Sequence, residues 1–133
     1  MKLEQCRWTE TKGWEPAAPG KLGGAAQLVL MFSSTKLMKE QKHLADIKKV
    51  YSKAHFMGFS TAGEIYGTQV TDESLVVTAV QFEHTTLKGA HTKVNAMADS
   101  FAVGERLAKE VNTPNLAHVF VLSDGSGVNG SDL

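Results

Sequence analysis

A chain of 133 residues, 42% apolar and 21% charged, is long enough for one domain with a real hydrophobic core. Fourteen basic residues cancel fourteen acidic ones, so charge gives no argument for nucleic acid or an anionic membrane as partner. No apolar run approaches the roughly 20 residues of a membrane span, the first residues lack an apolar signal core, and the single Cys6 can make no internal disulfide; a cytoplasmic location is expected.

Residues 1–24 are polar and interrupted by Pro16, Pro19 and Gly20, and read as an N-terminal arm that Trp8 and Trp14 pin to a body spanning 25–133. "AAQLVLMF" (25–32) is an apolar run of strand length, followed by "SST", in which Thr35 is the expected N-cap of a helix over 36–53. Leu37, Leu44, Ile47, Tyr51 and Ala54 fall on one face of that helix. "HFMGFS" (55–60) is the next strand, and a short one near 65–70 leads through the turn "VTDES" into "SLVVTAVQFE" (74–83). The last is apolar on both faces, as a central strand covered on both sides must be. His84–His91 reads as a further extended segment.

A second helix is predicted over 94–111, with Met97, Phe101, Gly104, Ala108 and Val111 as its buried stripe and Gly104 packed closely on the sheet. "NTPN" ends it, and "LAHVFVLSDG" (116–125) reads as a buried strand. The fold expected is α/β: a mixed, partly parallel sheet with two helices packed on it in two or three layers. Beyond Gly125 comes a loop and a helix start capped by Asn129 or Ser131, and the sequence ends there, so the domain is expected to be incomplete at its C-terminus.

The most informative stretch is "GFSTAGEI" (58–65), where a strand gives way to Ser60, Thr61, Ala62 and Gly63, then Glu64. Small residues at a strand end let backbone N–H groups approach a ligand closely, and α/β sheets place their sites there. The same small residues also serve plain close packing. Glu64 reads either as a solvated turn residue or as a counter-charge to a cationic ligand group. Gly58-Phe59-Ser60-Thr61-Ala62 lacks the final glycine of a nucleophile elbow. A serine hydrolase would need a base from His55, His84, His91 or His118 and an orienting Asp72, Asp99 or Asp124, and spacing fixes none of them. The five histidines show no zinc spacing. "DGSGVNG" (124–130) fails as a calcium loop because Val128 stands at the fifth position, and reads as an Asx-type turn or as a second strand-end loop offering Asp124 and Gly125.

Gly58–Ile65 together with Asp124–Leu133, in this order and spacing, resembles the N-terminal half of the FIST domain, over roughly residues 25–133. The resemblance implies a non-enzymatic, bacterial-type sensory input domain for a small metabolite, with amino acids the ligand class usually proposed. Its partners would be signalling proteins such as histidine kinases, chemoreceptors or cyclic-dinucleotide enzymes. The ligand would meet Ser60, Thr61, Ala62, Gly63, Glu64, Asp124 and Gly125. No cofactor is required by this reading. The alternative that the resemblance carries is a haem-based nitric-oxide sensor, for which His55, opening the strand into the loop, is the axial candidate.

Overall fold

The computed structural model describes residues 1–41 and 43–133, and these divide into two compact units, Met1–Thr86 and Leu87–Leu133. The first holds a five-stranded sheet built from β1 (Lys2–Thr9), β2 (Gly13–Glu15), β3 (Leu28–Ser33), β4 (His55–Ser60) and β7 (Ser74–Gln81), in the order β2-β1-β7-β3-β4. β3 and β4 run parallel, and every other pairing in this sheet is antiparallel. A separate hairpin, β5 (Glu64–Tyr66) with β6 (Gln69–Thr71), follows β4. The mixed α/β architecture is as the sequence indicates, with β7 in the middle and buried along nearly its whole length.

The N-terminal residues are not an arm without regular structure. β1 pairs with β7 over eight residues, from Lys2↔Gln81 to Thr9↔Ser74. Its signal was an alternation: Cys6 and Trp8 point into the core, while Gln5, Arg7 and Thr9 point to the other face. Polar residues on the second face hid the strand. Glu4 then ties down the following loop, its carboxylate accepting from the backbone N–H groups of Gly20, Lys21 and Leu22 at 2.8 Å each.

The first predicted helix is two: α1 (Thr35–Glu40) and α2 (Leu44–Val50). Gln41 adopts a left-handed conformation (φ 50°) and stops α1; Lys42 lies outside the described residues. The cap is Ser34, one residue before the expected Thr35, and its hydroxyl accepts from Leu37 N–H. The apolar face is as expected: Ile47 and Tyr51 are fully buried against Cys6, Val29, Met31 and Val77, with Leu37, Leu44 and Ala54 packed around them. Burying a side chain such as Ile47 stabilises the fold by about 1.5–3 kcal/mol.

The second unit departs further from expectation. α3 spans Ser100–Val111, preceded by a 3-10 turn at Met97–Asp99 in place of the helix start near 94. Ser100 and Val103 are its buried residues, whereas Met97, Phe101 and Ala108 of the predicted stripe are exposed. A Cβ on Gly104 would collide with the Leu133 backbone, so this glycine admits the C-terminal turn and not a sheet. Residues 116–124 form no strand, and neither do His84–His91. An apolar run becomes a strand only when another edge supplies its backbone partners. Without one, Val119, Phe120 and Val121 stay about half exposed, at 50%, 52% and 56%.

Candidate functional site

The parallel pair brings two serine-rich ends side by side. Ser33 of β3 lies opposite Ser60 of β4, and Thr61 N–H continues the ladder by donating to the Ser33 carbonyl at 2.8 Å. Gly58 permits this pairing, since a Cβ there would run into the Met31 backbone carbonyl on the neighbouring strand. Ser33 Oγ donates to the Ser74 carbonyl at 2.9 Å and fastens the end of β3 to the start of β7.

Glu64 organises this corner. It is 1% exposed, and both of its carboxylate oxygens are engaged by the chain itself. Oε1 accepts from Thr61 Oγ1 at 2.7 Å; Oε2 accepts from Ser74 N–H at 3.1 Å and from Ser74 Oγ at 2.8 Å. Thr71 Oγ1 lies 3.0 Å from Ser74 Oγ, closing a cluster of hydroxyls around the acid. A buried carboxylate is costly unless it is bonded in this way. Both readings made of Glu64 from sequence, a solvated turn residue and an open counter-charge, give way to a clamp that fixes the loop before it. Gly63 is pressed against the hairpin, where a Cβ would come within 2.9 Å of Val70.

What the clamp presents is Ser60 and Ala62, both exposed, with Thr61 and Gly63 half-buried between them and Glu64. The result is an open ledge at the C-terminal ends of two parallel strands. Two cavities of the first unit lie elsewhere. One of about 20 Å³ lies beneath the α1–α2 junction; one of about 240 Å³ runs beside Leu3–Cys6 and Pro16–Ala18. Ser33, Ser34, Thr71 and Ser74, which complete the corner, were passed over in the sequence. "SST" after β3 was the available signal, since hydroxyls that end one parallel strand come to lie beside those that end its neighbour.

Asp124 and Gly125 belong to the second unit. Asp124 Oδ1 accepts from Ser126 N–H and Ser126 Oγ, both at 2.8 Å, an Asx-type turn. Those two bonds, backbone first, hold its carboxyl below the usual aspartate value. Asn129 caps the last turn, its side chain accepting from Ser131 N–H and its carbonyl from Leu133 N–H.

His55 is exposed at the first position of an edge strand, with its backbone N–H bonded to the Gln27 carbonyl. A haem needs an apolar slot around its axial ligand, and an exposed edge position does not fit that group. Among the described residues no three His, Cys, Asp or Glu side chains group to hold a metal ion, and no helix is long and apolar enough to cross a membrane. Cys6 is buried, and burial above all pushes its thiol up to about 12, which keeps it protonated.

Residues 27–133 match the family model described as the FIST N domain. No curated protein and no solved structure matches the chain.

Proposed function

Because the chain belongs to the FIST N domain family, whose members are sensory domains of signal transduction, we propose that the ledge at Ser60–Gly63 receives a small polar metabolite such as an amino acid. The observation that carries this reading is the division of labour at the corner. Glu64 is spent on holding the loop, while Ser60 and the small residues after it remain at the surface on a rigid strand end. The ligand's carboxylate would meet the Ser60 hydroxyl and nearby backbone N–H groups, and small side chains allow that approach, while the Thr61 hydroxyl stays committed to Glu64. Occupancy would pass to a signalling partner such as a histidine kinase, a chemoreceptor or a cyclic-dinucleotide enzyme.

The test is thermal denaturation of the chain with each common amino acid. A ligand present at 100 times its dissociation constant stabilises by about 2.7 kcal/mol. Ser60→Ala is expected to remove the shift while leaving the unliganded midpoint in place. A shift that persists in Ser60→Ala would move the site elsewhere, and the absence of a shift with every amino acid would overturn the ligand class.

A further inference from the structure

The ladders that hold β1 leave part of its backbone unused. Along a paired strand, the N–H and C=O groups of successive residues point to alternate edges. On β7, Ser74 and Val80 turn their carbonyls towards β3, where they accept from Ser34 N–H and Gln27 N–H at 3.2 and 2.8 Å. Leu75, Val77, Ala79 and Gln81 therefore face β1 and bond to their register partners Trp8, Cys6, Glu4 and Lys2. Leu3, Gln5, Arg7 and Thr9 are left pointing to the opposite edge. β2 takes up Thr9 and Arg7, opposite Gly13 and Glu15, and its pairing ends there. The next residue, Pro16, has no N–H with which to continue a ladder. Leu3 and Gln5 thus each present an N–H and a C=O with no strand opposite among the described residues.

Beside this edge runs the groove of about 240 Å³, lined by Leu3–Cys6, Pro16–Ala18 and Lys21. Leu3, Gln5, Lys21 and all of 16–18 are exposed, so it is an open trough and not an enclosed chamber. It is also smaller than the roughly 300–1,000 Å³ of a pocket for a drug-sized ligand. Its polar side chains are committed, with one exception. Gln5 Nε2 donates to Thr78 Oγ1 at 3.1 Å, and the Glu4 carboxylate takes the N–H groups of Gly20, Lys21 and Leu22. The Lys21 ammonium makes no ion pair among the described residues, while the Glu4 bond fixes its backbone near the edge. We infer that the edge at Leu3 and Gln5 is a docking site for an extended, acidic segment of a partner protein. The segment adds as a strand in the line that β2 vacates, exchanges backbone bonds with Leu3 and Gln5, and sets a carboxylate against Lys21. Leu3, 58% exposed, packs against one of its apolar side chains. Every residue of the site precedes the 27–133 matched to the family, so it is independent of the ledge at Ser60.

The test is titration of the whole isotope-labelled chain with a capped hexapeptide of alternating valine and glutamate, followed by amide NMR. Saturable shifts are expected, centred on Leu3, Gln5 and Lys21. The same peptide methylated at its backbone nitrogens should not bind, because it cannot form a ladder. Lysine in place of glutamate should weaken binding by about fivefold or more, and Lys21→Glu should reverse that preference. Leu3→Pro removes an outward N–H while leaving the ladder to β7 intact, and should also weaken binding; the methylated peptide decides the same point on the wild-type chain if that variant fails to fold. The proposal is overturned if no saturable shifts occur, if shifts of equal size appear along the other sheet edge at His55–Ser60, or if the methylated peptide binds. It is equally overturned if Lys21→Glu leaves the preference unchanged, or if the chain sediments as a dimer with the Leu3 and Gln5 amides protected from exchange, since a second copy then fills the edge.

Discussion

Two acidic residues stand in similar sequence settings, Glu64 after "GFSTAG" and Asp124 after "HVFVLS", and the fold treats them in opposite ways. Glu64 is buried and takes bonds from Thr61 and Ser74, ten residues away on another strand. Asp124 is exposed and takes bonds from its near neighbours, Ser126 two residues on and the Gly127 backbone. The first holds tertiary structure together, and the second shapes its own turn. A carboxylate's role follows from how far along the chain its donors come from and whether water can replace it.

The comparison breaks most directly under truncation. Glu64→Ala leaves Ser74 N–H and two hydroxyls without their acceptor in a buried corner, and should cost about 3 kcal/mol, read as a lower urea midpoint. Asp124→Ala should leave the midpoint where it is, since water takes over its bonds. Equal losses for the two would erase the distinction.

Glycines sharpen the same contrast. Gly58→Ala drives a methyl group into the Met31 carbonyl, a backbone atom that cannot swing away, and should destabilise by about 1–3 kcal/mol. Gly125→Ala meets nothing within 4 Å, and its melting temperature should match wild type.

A smaller effect concerns pH. Burial raises the Glu4 carboxyl, but the N–H groups of Leu22, Lys21 and Gly20, together with the Tyr51 hydroxyl side, outweigh it and leave the group below its ordinary value of 4.5. A carboxyl depressed in the folded state contributes stability that is fully present above its unfolded value. That stability is lost as pH falls through the folded value. Glu4→Gln should therefore be less stable than wild type at neutral pH and show a shallower decline below about pH 4.5. Glu15, lowered chiefly by its bond from Arg7, leaves part of that decline in place.

The least perturbing measurement is chemical. Cys6, buried with a thiol pushed up to about 12, should not react with a disulfide reagent in the native state at neutral pH, and should react fully once the chain is unfolded. Fast labelling of the native chain would mean that β1 opens readily from β7.

Periodicity and apolar runs are local properties, and what depends on them was legible in the sequence: β3, β4, the central β7, the apolar face shared by α1 and α2, the Asx-type turn at Asp124 and the cap at Asn129. The end of β4 at Ser60 was legible too, because the apolar run gives way there to small polar residues. Partners distant in sequence decided the rest. β1 became a strand because β7 offered an edge to "KLEQCRWT", while the more apolar residues 116–124 found no edge and formed none. Glu64 became a clamp because the hairpin returns the chain to Ser74. A hydrogen bond across strands exists only once the fold has brought its two ends together, and local periodicity does not encode that pairing.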